Sequence, residues 1–165
     1  RVAVMIFEFG TLPKRHYESI EPFAADLRKF LSELPPGWRY SVEIRNQEFF
    51  EPRYFDTLRE HNVAHVFNSW TRMPDLPSQA AIPEAFTADF LVARALLRPG
   101  RAYEQAVRKF QPYKEIQEIN PPARAGLREL IDRARATRQT AFLFVNNRLE
   151  GNAPSTIQAV TEDLP

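Results

Sequence analysis

The chain has 165 residues, 44% hydrophobic and 26% charged, with a formal net charge of +1. That is enough for one domain, 1–165, with a sizeable core, in a composition ordinary for a soluble globular protein. The absence of cysteine excludes disulfides and thiolate chemistry and fits a cytoplasmic protein; there is no bilayer-length apolar run and no secretory leader pattern.

Five segments read as strands: 2–9 (VAVMIFEF), 39–45 (RYSVEIR), 63–69 (VAHVFNS), 89–96 (DFLVARAL) and 140–147 (TAFLFVNN). Short apolar runs of this kind predict strands buried on both faces. After the first, Phe23, Leu27, Phe30, Leu31 and Leu34 recur on one helical face, stopped by Pro35-Pro36-Gly37. After the second, Phe50, Tyr54, Phe55 and Leu58 repeat the pattern. The stretch 71–88, rich in Pro and small residues, predicts a loop with at most one helical turn. Residues 121–137 start on a double proline and carry Leu127, Leu130, Ile131 and Ala134 on one stripe; 153–164 predicts a short closing helix. Strand and helix alternating in this way predict an α/β fold of parallel βαβ units, either an open doubly wound sheet or part of a (β/α)8 barrel. No GxGxxG or P-loop follows any strand.

In both architectures ligands bind at the carboxyl ends of the strands. Glu8 closes the first strand, Glu43 and Arg45 share one face at the end of the second, and Asn68 and Ser69 close the third. Arg94 lies late in the fourth, and Asn146-Asn147 end the fifth. Five polar ends predict a polar floor beneath a pocket. Local alternatives exist: the two amides as caps of the turn into RLEGNAP, and Glu43 with Arg45 as a structural ion pair.

Charge is uneven. Residues 94–148 carry 12 Lys and Arg against 5 Asp and Glu, leaving the remainder net acidic. Arg124, Arg128 and Arg135 share one sector of the helix at 121–137, with Tyr103 and Tyr113 nearby, so anion or nucleic-acid binding through this segment is an alternative function. His61 and His65 straddle a helix end and a strand start, and His16 stands apart; the sequence assigns no metal and no cofactor. Magnesium held by carboxylates and water would leave little trace. Trp38 and Trp70 read as packing or rim residues.

The series YSVEIRNQEFF, LREHNVAHVFNSW, DFLVARAL and FLFVNNRLEGNAPSTIQAV resembles the YecE-like family of TIM-barrel proteins, domain of unknown function seventy-two. Glu43 and Arg45 match its strand ending Glu-x-Arg, Arg94 the arginine of its Leu-Arg-Leu-His-Gly strand, and Asn146 and Asn147 its closing amides. Asn68 stands where the family has Asp, Glu8 where it has Gln, Gly10 where it has Pro, and Leu96 where it has His. A proton transfer or metal bond made by that His is therefore absent here. The resemblance covers only the later part of the family's eight-stranded barrel, which takes about 250 residues. It implies an incomplete barrel with open sheet edges: a fragment, a truncated product, or a chain that completes itself by self-association.

The strand-end residues predict a site for a small phosphorylated or polyhydroxylated molecule. Glu43 would be the general base, ionised beside its arginine. Arg45 and Arg94 would hold an anion, with Glu8, Asn68, Asn146 and Asn147 binding the rest of the substrate.

Overall fold

One parallel sheet holds its strands in sequence order: β1 (Met5–Phe9), β2 (Tyr40–Ile44), β3 (Ala64–Ser69), β4 (Phe90–Ala95) and β5 (Thr140–Val145). The computed structural model describes residues 2–162. Arg1 and residues 163–165, which include the last two residues of the expected closing helix, lie outside the described residues.

Helices fill every crossover. α1 (Ile20–Ser32) joins β1 to β2, and α2 (Pro52–Glu60) joins β2 to β3. α3 (Leu76–Ala80) precedes β4; α4 (Tyr103–Phe110) and α5 (Pro121–Thr137) follow it; α6 (Asn147–Glu150) and α7 (Ala153–Thr161) follow β5. The fold is α/β, built of parallel βαβ units.

The alternation of side chains along each strand sorts the residues between two cores. Val42, Ile44, Phe67, Ala93 and Ala95 turn outward into one cluster with Phe23, Leu27, Leu58, Leu127 and Leu130 of the helices. Ala64, Val66, Phe90 and Val92 turn inward, and Val4, Ile6 and Phe142 close on them. A flat sheet would hold β1 and β5 about 19 Å apart, at some 4.8 Å per strand spacing. Their packing on one small inner core means the sheet is curled, concave inward, as in part of a barrel.

Four sequence expectations change. Burial on both faces holds for β2, β3 and nearly all of β4, but β1 and β5 are part-exposed because each has a neighbour on one side only. Residues 103–110 form a helix that the periodicity did not reveal, since only Ala106 and Phe110 are buried in it. Phe30, expected inward, is 37% exposed and meets Phe7 edge-on at 4.8 Å. Between β3 and β4, the loop expected to contain at most one turn holds α3 and a short 3-10 turn, Pro83–Ala85.

Helix ends follow local chemistry. Asn120 caps α5, its Oδ1 accepting from Ala123 N–H at 3.3 Å, and Pro121-Pro122 form the first turn, where no N–H is needed. Gly126 lets α5 lie against α3: a Cβ there would stand 2.4 Å from Leu76 Cβ. Glu150, wholly buried, ties the last elements together. It accepts from Arg124 Nε and Nη2, the Thr156 hydroxyl and the Asn120 backbone N–H.

A candidate site on the concave face

Register brings two carboxylates side by side. Glu8 and Glu43 are paired positions on β1 and β2, both facing inward. Alone they would repel, so the fold needs cations between them. Arg45, two residues beyond Glu43, donates from Nη2 to Glu8 at 2.6 Å and from Nε to Glu43 at 3.3 Å. Arg94, from β4, donates from Nη1 to Glu8 at 2.6 Å and also to Glu43. The four side chains thus form a closed ring, Glu8–Arg45–Glu43–Arg94, with no net charge. It lies at the carboxyl ends of the strands.

The ring has a buried and an open side. Glu43 is completely buried, Arg45 and Arg94 are largely so, and Glu8 is 38% exposed. Beside it opens a cleft of about 360 Å³ lined by Ile6, Glu8, Arg94, Leu96, Phe144 and Asn146. Trp70, just past β3, lies with its ring 3.8 Å from the Arg45 guanidinium carbon and holds that side chain from behind. Its position directly after a polar strand end was the one signal in the sequence for this contact.

Burial acts on Glu43 directly. Its carboxyl is raised above the usual carboxylate value, burial outweighing the pull of Arg94 and Arg45. The adjacent arginine pulls the other way; complete removal from water is what the sequence does not display.

The amides divide. Asn68 is fully buried next to Arg94 in the β3–β4 register. Its Nδ2 donates to the carbonyls of Ile44 and Val66, and its Oδ1 has no donor among the described residues. Asn146 lines the cleft, yet its Oδ1 accepts from Arg148 N–H and caps α6. Asn147 Oδ1 accepts from Ala153 N–H. Both amides serve the turn, and only Asn146 also faces the cleft. Leu96, where a His was expected from the resemblance, makes that wall apolar.

The remaining candidates lie elsewhere. His65 points outward, its Nδ1 3.1 Å from the Tyr54 hydroxyl, and burial pulls its pKa down to about 3. His61 ends α2. Among the described residues no group of three or more His, Asp or Glu could hold a metal ion. Trp38 is exposed. In the arginine-rich segment, Arg124 is bound by Glu150, and Arg128 donates to the carbonyls of Ala159 and Val160 at the end of α7. Arg135 is engaged as well, and Arg148 lies over Tyr103. No helix among the described residues is long and apolar enough to cross a membrane.

The family model for "Protein of unknown function DUF72" matches residues 9–165. The chain belongs to the DUF72 family. Two solved DUF72 proteins share its fold. One, from Thermotoga maritima, is 16% identical, with a TM-score of 0.65 over 98% of this chain. The other, from Enterococcus faecalis, is 17% identical, with a TM-score of 0.57 over 95% of it. The chain spans 57% of the length of each. No curated protein matches it.

Proposed function

We propose that this DUF72 chain binds a small, neutral polyhydroxylated molecule in the cleft beside the Glu8–Arg45–Glu43–Arg94 ring, and that Glu8 is the group placed to exchange a proton with it. The ring carries the reading. Two carboxylates against two guanidiniums leave no charge to attract a dianion, so phosphorylated ligands have little electrostatic reason to enter. What the ring offers is a dense set of acceptors and donors at fixed positions, which suits hydroxyl groups, while Leu96 and Phe144 give the apolar wall that a sugar face packs against.

Glu8 meets the ligand because it is the carboxylate open to the cleft. Glu43, sealed behind the guanidiniums, holds Arg45 and Arg94 in place and reaches a ligand only if Arg94 turns aside. Asn146 supplies a further polar contact from the opposite rim.

A thermal-shift screen of neutral sugars and polyols, beside the same sugars phosphorylated, tests this. A ligand at 100 times its Kd adds about 2.7 kcal/mol to stability. The expected result is stabilisation by a neutral compound, lost in Glu8→Gln. Stabilisation by the phosphorylated series alone, or undiminished in Glu8→Gln, would overturn it.

A further inference from the structure

A second cleft, of about 440 Å³, opens on the outer side of the sheet between the loop after β3, the loop after β4 and the start of α5. Met73, Leu76 and Pro122 form an apolar lining; Arg98, Asn120 and Asp75 are its charged and amide members. Two of these carry buried N–H groups that nothing among the described residues accepts.

Asn120 is only 3% exposed. Its Oδ1 takes the Ala123 N–H, which fixes the amide orientation, because a backbone N–H can only donate. Its Nδ2 is therefore a true donor, and it has no acceptor. Arg98 donates from Nη1 to Glu118 and from Nη2 to the Ile119 carbonyl, at 2.9 and 2.8 Å, while its Nε is buried and unpartnered. A buried donor without an acceptor is unfavourable, and two such donors belong to residues that line this one cleft.

The surroundings favour a single negative charge. Arg98, Arg101 and Lys109 all pair with the one carboxylate of Glu118. Counting Asp75 against them still leaves one positive charge, and Asp75 already caps α3 through the Ser78 amide. The amino end of the 17-residue α5 adds positive potential, although its first two residues are prolines and present no N–H. The donors must then come from Asn120 and Arg98.

We propose that this cleft binds a small monocarboxylate with an apolar body: the carboxylate accepts from Asn120 Nδ2 and Arg98 Nε, and the body packs on Met73, Leu76 and Pro122. The site is independent of the concave-face ring.

Benzoate is a suitable probe, with benzamide as its neutral counterpart, both titrated by calorimetry. Asn120→Asp keeps the oxygen that caps α5 but replaces the donor with an anion; Arg98→Lys keeps the charge but removes Nε. The expected result is saturable benzoate binding, at least tenfold weaker benzamide binding, and at least tenfold weaker benzoate binding in each variant. Glu8→Gln should bind benzoate as the parent protein does. The proposal fails if benzoate does not saturate, if benzamide matches it, if a folded variant (Asn120→Asp or Arg98→Lys) retains full affinity, or if Glu8→Gln abolishes binding and so moves the carboxylate to the concave face.

Discussion

At the scale of single residues, the ring works by mutual need. Glu43 is a buried carboxylate tolerated because two guanidiniums reach it, and the guanidiniums are held because two carboxylates receive them. Removing one member should expose the dependence. Arg94→Leu leaves Glu8 and Glu43 with Arg45 alone, and breaking a buried pair in this way costs about 3–5 kcal/mol at pH 7. Glu43 already has a raised pKa, and losing Arg94 raises it further. A carboxyl raised in the folded state destabilises the fold above its unfolded pKa and not below it. The deficit of Arg94→Leu, read by urea denaturation, should therefore shrink as pH falls from 7 towards 4.5.

His65 behaves in the opposite sense to Glu43. Folded, it resists protonation down to about pH 3, whereas the unfolded chain takes a proton near 6.5. Stability attributable to His65 is complete above pH 6.5 and falls by about 1.4 kcal/mol per pH unit below it, or about 2 kcal/mol by pH 5. His65→Gln should lack this part of the acid slope. An unchanged slope in the variant would mean His65 is not buried neutral.

At the scale of elements, the closing region depends on Glu150 and on one glycine. Glu150→Gln breaks the bond to Arg124 inside a fully buried site. A fall in melting temperature on the order of 10 °C is expected, from a loss of about 3–5 kcal/mol. Gly126→Ala would gain about 1 kcal/mol on an exposed helix, but here the new methyl meets Leu76 at 2.4 Å and Pro77 at 2.9 Å. Overpacking costs about 1–3 kcal/mol, so the melting temperature should fall.

Elements were legible from sequence where one apolar period ran unbroken. α1, α2 and α5 each carry such a stripe, as Leu127, Leu130 and Ala134 do in α5. α4 has two buried residues, too few to set a period, and α6 is a single turn. Glu43 and Arg45 could be grouped because neighbours two apart on a strand face one way. That Arg94 joins Glu8 across 86 residues depends on the curl of the sheet, which no local pattern encodes. The double Asn at the end of β5 was ambiguous for a physical reason: the same amide suits a pocket or a turn, and the turn takes both side-chain oxygens.

At the scale of the whole molecule, the sheet formed by the described residues has two edges without a neighbouring strand, β1 and β5. Exposed apolar side chains lie beside them: Phe30 next to β1, Phe144 on the concave face of β5, and Ile157 of α7 on its outer face beside Leu143 and Val145. Open edges flanked by apolar surface favour pairing with another chain. Sedimentation velocity should show association that grows with protein concentration and weakens in Ile157→Lys; a strictly monomeric chain at all concentrations would argue against it.

The proposed binding of a neutral polyhydroxylated ligand stands on the charge-balanced ring of the concave face. The most direct test follows the Arg45 Nε–H resonance by nitrogen–proton NMR, assigned through Arg45→Lys, during titration with the neutral compound that stabilises the protein most. The expected result is a slowly exchanging resonance, resolved from bulk arginine in the free protein, that shifts with ligand until it saturates. A resonance already at the bulk position would mean the ring does not form, and a resolved resonance that never moves while ligand binds would put the site elsewhere.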